Sequence, residues 1–326
     1  MDLINNSIFI GYGGAGVRIL DNLIKNNPDL NYAMVVSSSS EKRTAENNKD
    51  YLIKTIDLDY NGTGSEPSLA YEKAYKYRPE YNNIVEDYNY IFHLFSTAGE
   101  TGSGTAINFT ESINNKTNIF LGVLPSYHPR TNRLIFYKNA FDNISKINKQ
   151  NLGLLWLFDN SYSEDLIEFF NVNESITDEI YSFFNLIEQV TDKNDNSLSI
   201  LEKPGIITLK KVRFKNLSYN LTFEELLRRD RSVSYNYNLE NFDKVLLALE
   251  ISKEQDLEEA EIFIANLKDK LNEETGIKTS NNKIKIYRNS KEFNELKLIF
   301  ISSDNSKENY QKFKDKYVEL QKKRQK

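Results

Sequence analysis

Residues 8–18 read Ile8-Phe9-Ile10-Gly11-Tyr12-Gly13-Gly14-Ala15-Gly16-Val17-Arg18. Three apolar residues end a strand, four glycines in six positions make a turn, and Val17 and Arg18 open a helical period. Glycines at such a strand-to-helix turn let backbone amides approach phosphate oxygens. The helix N-terminus adds unpaired N–H donors and the positive end of a dipole. Gly11, Gly13 and Gly16 also satisfy the dinucleotide pattern G-x-G-x-x-G, so this turn alone fits a dinucleotide, a nucleoside triphosphate or merely a tight turn.

Outward from this turn, short apolar runs alternate with segments of helical period: Ser7 to Gly11, Tyr32 to Ser38, Tyr51 to Leu58, Tyr90 to Thr97, Asn118 to Pro125 and Leu152 to Phe158. That alternation predicts an α/β chain with a Rossmann-like parallel sheet wrapped by helices. Runs such as Ile91-Phe92-His93-Leu94-Phe95 are apolar on successive residues, as strands covered on both faces require. Ligands in these sheets bind at the carboxyl ends of the strands.

From Asn171 to Val190 apolar residues step by three and four, which predicts a long amphipathic helix. Beyond the break at residues 191–197 (TDKNDNS) the pattern changes. Strands are expected at Ile206 to Phe214, Lys244 to Ser252, Lys283 to Arg288 and Leu296 to Ser302, with a helix from about Leu257 to Asn272. The expected organisation is a nucleotide-binding domain over 1–170, a connecting helix over 171–191, a smaller α+β domain over 192–305 and a basic C-terminal helix over 306–326.

Composition narrows the chemistry. The chain has 326 residues, 39% of them hydrophobic, a net charge of −5 and no cysteine, which excludes disulfides, thiolate metal sites and a cysteine nucleophile. Two histidines are too few for a histidine-rich metal centre. No apolar run approaches the ~20 residues of a membrane span and the N-terminus lacks a basic leader, so a cytoplasmic location without membrane association is expected.

Two features separate the readings of the first turn. A dinucleotide site places an acid at the end of the second strand, about 20 residues on, to hold the ribose; here that strand ends Val35-Val36-Ser37-Ser38-Ser39-Ser40. In addition, the fourth strand ends in a second glycine-rich turn, Ser96-Thr97-Ala98-Gly99-Glu100-Thr101-Gly102-Ser103-Gly104-Thr105. Two phosphate cradles facing one site indicate a triphosphate. A third turn, Gly62-Thr63-Gly64-Ser65-Glu66-Pro67, adds backbone donors and a carboxylate suited to a magnesium-bound water.

Gly11-Tyr12-Gly13-Gly14-Ala15-Gly16 followed by Thr101-Gly102-Ser103-Gly104 resembles the tubulin/FtsZ superfamily, whose signature is G-G-G-T-G-[ST]-G, and the order of elements matches over essentially the whole chain. Its divergence and small size look most like TubZ, the plasmid and phage branch that segregates DNA. The resemblance implies a GTPase using GTP/GDP and Mg2+ that polymerises head to tail with nucleotide between subunits. It assigns Gly11, Gly13, Gly14, Ala15 and Gly16 to the first phosphate loop, and Gly99, Thr101, Gly102, Ser103 and Gly104 to the second. Gly64 and Glu66 fall to the third turn, and Arg133 to the phosphate side. Phe170 and Asn173 would stack on and pair with guanine. Asp192 and Asp195, a D-x-x-D pair after the long helix, would act on the neighbouring subunit's GTP. Ala98 and Glu100 depart from the signature's glycines, Arg18 replaces an asparagine, and Pro129 stands where a ribose-binding glutamate is expected.

Plainer readings stand beside these. Phe170 also suits a core and Asn173 a helix cap, while residues 191–197 also suit a solvated turn. His93 and Trp156 lie in apolar strands and are expected in the core. Residues 312–326 carry seven basic side chains against Asp315 and Glu319, a net +5, which suits a DNA-bound adaptor protein, the next subunit's acidic surface or a solvated helix end. No direct sequence-specific DNA contact is expected. A non-polymerising GTP-binding adaptor, a phage-encoded positioning filament and an NAD-dependent Rossmann oxidoreductase are the alternatives.

Overall fold

The computed structural model describes residues 3–60, 66–125, 134–160, 166–190, 201–217, 242–277 and 284–302, together with 230, 232, 234, 315, 318 and 319. Ten strands form one sheet: β1 Ser7–Tyr12, β2 Asn31–Val36, β3 Leu52–Asp57, β4 Tyr90–Ser96, β5 Thr117–Val123, β6 Leu154–Phe158, β7 Gly205–Phe214, β8 Lys244–Ile251, β9 Ile284–Arg288 and β10 Asn294–Ser302. The helices are α1 Gly13–Asn26, α2 Ser39–Asn47, α3 Pro67–Ala74, α4 Arg78–Val85, α5 Glu100–Thr110, α6 Leu134–Lys149, α7 Leu166–Val190 and α8 Leu257–Thr275.

The strand order is β3-β2-β1-β4-β5-β6-β7-β10-β8-β9. Strands β1 to β7 run parallel in adjacent pairs, β10 runs against both its neighbours, and β9 lies parallel to β8. The expected parallel sheet is therefore present, and the strands of the second half continue it through β7. That junction is narrow: β6 meets β7 over Leu154↔Gly205, Leu155↔Ile206 and Trp156↔Ile207, whereas β7 meets β10 along nearly its whole length.

Helices cover both faces, which is why β1 and β6 are buried at every position. Helices α1, α2 and α7 pack one face, where Phe9 stacks on Phe92 at 4.8 Å between ring centroids and Phe184 lies 4.9 Å from Phe92. Helices α3 to α6 and α8 pack the other. Trp156 and His93 are buried, as expected for core residues. The Trp156 indole donates to the Ser234 hydroxyl at 2.7 Å, and Ser234 donates to the buried Glu179 carboxylate at 2.6 Å. Helix α7 starts at Leu166, five residues before the expected Asn171, because its first residues continue the helical spacing. Among the described residues no helix is long and apolar enough to cross a membrane. Of the expected C-terminal helix, residues 315, 318 and 319 are described, and they are helical.

Candidate nucleotide site

Strand order reverses between β1 and β4: the chain leaves β1 toward β2 on one side and β4 toward β5 on the other. A crevice at such a switch point, beyond the carboxyl ends of the strands, is where this architecture takes ligands. Both glycine-rich turns lie there, one opening α1 and the other α5. The first N–H groups of each helix have no intrahelical acceptor and carry the positive ends of the dipoles.

The two turns interlock. Gly13 has φ +60°, a conformation a side chain would strain, and a Cβ there would lie 3.1 Å from the Gly102 nitrogen. Gly16 presses α1 onto β4, since a methyl group on it would lie 1.9 Å from the Leu94 carbonyl oxygen. The site is thus built from backbone touching backbone. Of Gly11 to Gly16 only Gly14 and Ala15 are partly exposed, and from Thr97 to Thr105 only Gly99 and Glu100 are. These four residues form the accessible lip.

The hydroxyls of the second turn are turned inward. The buried Ser103 hydroxyl donates to the Gly99 carbonyl and accepts from Asn143 Nδ2 at 2.8 Å; the same Nδ2 reaches the Thr97 carbonyl at 2.9 Å. Asn143 thereby pins α6 to the second turn. Thr101 Oγ1 lies 3.2 Å from Ser37 Oγ, which donates to Glu41 at 3.3 Å, so Thr101 is the donor to Ser37. Ser103 and Thr101, expected at the nucleotide, therefore spend their side chains holding the loops in place.

Glu41 is the residue that sequence reasoning missed. Its Oε2 accepts from the Ser37 amide at 2.8 Å and the Ser38 amide at 3.2 Å, while the Ser38 hydroxyl accepts from the Glu41 amide in a reciprocal capping box. Its Oε1 stands 3.6 Å from where a Cβ on Gly14 would sit. The first turn of α2, which follows the second strand, thus supplies an acid beside the first glycine turn. The sequence signal for it is Ser38-x-x-Glu41, a capping-box spacing directly after the second strand.

Glu100 is the first residue of α5, where the helix dipole favours a carboxylate. Glu66 caps the N-terminus of α3 by position, and α3 is drawn to α5 at Gly104, where a Cβ would lie 2.1 Å from the Pro67 carbonyl oxygen. Phe170 and Asn173 are the fifth and eighth residues of α7, so Asn173 lies two turns into the helix and does not cap it; its side chain is buried. Gly64, Arg133, Asp192 and Asp195 lie outside the described residues, as do His128 and Pro129.

Beneath the first turn, the Tyr12 hydroxyl lies 2.9 Å from His93 Nδ1 and 3.3 Å from the Tyr81 hydroxyl, and His93 Nε2 lies 3.0 Å from Asn118 Oδ1. Asn118 Oδ1 accepts, so Nε2 carries the proton and Nδ1 accepts from Tyr12. Burial holds the His93 pKa down to about 4, against a smaller upward pull from Asn118. The imidazole is accordingly neutral near pH 7, and burial likewise raises Tyr12 well above the ordinary phenol value. The network fixes the residue that leads into the glycine turn.

A doubly wound sheet with paired glycine turns at its switch point defines a nucleotide-binding class of fold. No protein-family model and no curated protein matches the sequence. Solved structures do. A GTPγS-bound protofilament of CetZ2 from Haloferax volcanii aligns with a TM-score of 0.77 at 15% identity, over 98% of this chain and 100% of that one. The tail-truncated TubZ of Clostridium botulinum phage c-st gives 0.70 at 18% identity over 99% of each chain. An empty FtsZ dimer from M. jannaschii gives 0.69 at 16% identity over 91% and 88%. The chain has the tubulin/FtsZ fold.

Proposed function

We propose that this chain binds GTP at the β1/β4 crevice, assembles head to tail, and hydrolyses the nucleotide between subunits. The observation that carries the reading is the pair of interlocked glycine turns, which brings two helix N-termini to one lip formed by Gly14, Ala15, Gly99 and Glu100. Oriented amides and two dipole ends suit a polyphosphate. The full-length likeness to a GTPγS-bound CetZ2 protofilament and to GDP-form TubZ protofilaments supports the choice of GTP and of a homopolymer.

The donor set fits magnesium as it is usually held, through phosphate oxygens and water with one or two carboxylates. Glu66, at the N-terminus of α3, is the carboxylate that would hold a magnesium-bound water, and the ion would neutralise the phosphates in transfer. By the resemblance, Gly64 and Arg133 would belong to the phosphate side, and Phe170 with Asn173 to the base end of α7.

Helix α7 runs from the carboxyl edge of β6 back toward the start of the parallel β7, and its 25 residues span ~37 Å. Asp192 and Asp195 follow its C-terminal end in sequence, and the resemblance assigns them to the next subunit's nucleotide rather than to their own. They would instead position water against the γ-phosphate of the adjoining subunit, so assembly and hydrolysis are coupled. Heterologous contacts that do not close generate such filaments. The finer assignment, DNA segregation by a TubZ-like filament whose basic end takes a DNA-bound adaptor, rests on the small size and the +5 of residues 312–326.

Sedimentation with a slowly hydrolysed GTP analogue tests this. Polymer that pellets above a critical concentration, with GTP turnover per subunit rising steeply with concentration, is expected. GTP binding without pelleting would favour the adaptor reading, and stabilisation by NADH but not GTP would favour the oxidoreductase.

A further inference from the structure

Glu100 puts a carboxylate on the lip where a polyphosphate would lie, and like charges repel. A residue from outside both glycine turns stands beside it. Strand β3 ends at Asp57, and the chain then bends at Asp59, whose φ of +59° is left-handed. Asp57 closes the bend by accepting from the Asp59 amide at 3.0 Å, the local bond that aspartate favours two residues ahead, and Lys42 of α2 pairs with Asp57 at 2.7 Å. The bend is followed by Tyr60, whose ring packs against the core on the α3–α6 face of the sheet.

The Tyr60 hydroxyl is buried and, among the described residues, makes no hydrogen bond; the same holds for the fully buried Thr105 hydroxyl. Thr101 and Thr105 lie one turn apart on α5, and Glu100 immediately precedes Thr101. Burial raises the Tyr60 pKa above the ordinary phenol value. The charges of Glu100 and Glu41 add to the rise and the Thr101 and Thr105 hydroxyls oppose it, so all four groups stand near the phenol. Glu41 is held in the capping box of α2 by the Ser37 and Ser38 amides, whereas Glu100 sits on the helix that the phenol packs beside. A buried hydroxyl without a partner costs stability, and phenylalanine would fill the same space without that cost. The hydroxyl therefore serves a state other than the empty chain.

We infer that Tyr60 is a positioning residue for the nucleotide: when phosphate reaches the lip and repels Glu100, the Tyr60 hydroxyl donates to the Glu100 carboxylate and holds its charge away from the phosphates. A carboxylate accepts several hydrogen bonds, so this one adds to the contacts Glu100 already has. Hydrogen bonds to an ionised acceptor are the strong ones, and this one forms only in the loaded state, so it contributes to affinity rather than to folding. The inference rests on the GTP site proposed above and not on filament assembly.

The test is calorimetric titration with GTP of the full chain, at concentrations below any that pellet, for the parent, Tyr60→Phe, Glu100→Gln and the double variant. Tyr60→Phe should weaken GTP binding ~10-fold. Without nucleotide, its Tm should equal the parent's or exceed it by up to about 2 °C. In the Glu100→Gln background the same substitution should change affinity by less than about twofold, because the charge it answers is gone. Parent-like binding by Tyr60→Phe overturns the inference. An equal loss in both backgrounds does so too, by giving the hydroxyl to Thr101 or Thr105, and so does a clear fall in the Tm of empty Tyr60→Phe, which would mean that the hydroxyl has a partner without nucleotide. A parent that binds no GTP refutes the site reading itself, and the inference with it.

Discussion

The interlocked turns make opposite predictions for two glycines only two positions apart. In Gly16→Ala the new methyl group would lie 1.9 Å from the Leu94 carbonyl oxygen and 2.9 Å from its carbon. Side-chain carbons essentially never approach closer than 3.0 Å, so α1 must move about 1.1 Å off β4. That displacement disturbs the packing of the buried Val17, Leu20 and Leu23. Overpacking of this kind costs ~3 kcal/mol, which at this chain length lowers Tm by about 4 °C. In Gly14→Ala the methyl group would meet only Glu41 Oε1, at an ordinary 3.6 Å, with no backbone strain. Stability should hold or rise by ~0.5 kcal/mol as helical entropy is saved. Gly14 nevertheless belongs to the lip, where a side chain blocks close approach of a phosphate, and affinity should fall tenfold or more, ~1.4 kcal/mol. Thermal unfolding by circular dichroism, paired with titration of a fluorescent GTP analogue, reads both. A Gly16→Ala protein melting within 2 °C of the parent would refute the packing argument. A Gly14→Ala protein that binds GTP like the parent would refute the location of the phosphates.

Three further outcomes are expected. His93 titrates at about 4 when folded against an ordinary 6.5, so the unfolded chain binds the extra proton first as pH falls; stability is lost between pH 6.5 and 4, by ~3 kcal/mol in all. Denaturant melts at pH 7, 5.5 and 4.5 should show His93→Gln losing less stability over that range than the parent, and identical slopes would count against the buried neutral imidazole. Glu100→Gln removes a negative charge from the lip and should tighten GTP binding about threefold to tenfold, by calorimetry at low salt; weaker binding would mean that the carboxylate helps hold the metal. Asn143→Ala releases Ser103 Oγ and the Thr97 carbonyl together and should cost ~2 kcal/mol of stability. Chemical denaturation checks it, and a loss below 0.5 kcal/mol would show that α6 does not pin the second turn.

Much of this architecture is written in one-dimensional signals. Continuous apolar runs such as Ile91 to Phe95 announced strands covered on both faces, and β4 is buried there without exception. The glycine turns announced the switch point because only a backbone that must approach another backbone needs so many residues without side chains. The reversal of β10 was illegible, since alternation and apolarity carry no sense of direction. So was the three-pair joint between β6 and β7, which depends on contacts across about 50 residues of chain. Glu41 was illegible as a neighbour of the first glycine turn because its nearness to Gly14 depends on how α2 packs against α1. The inward turn of Ser103 and Thr101 was likewise invisible: a hydroxyl in a phosphate-binding motif says nothing of whether Asn143 or Ser37 will claim it first.

The narrow joint between β6 and β7 also governs how the molecule bears load. A broad sheet spreads strain over many parallel hydrogen bonds, but among the described residues β6 and β7 pair at only three positions, backed by α7 lying along the same face. Compliance is therefore concentrated at one crease, with a stiff rod as its backing. Twisting one half against the other would load Leu154 to Trp156 first. In a string of such subunits the creases would add in series, so the flexibility of the whole would be set by a few hydrogen bonds per subunit.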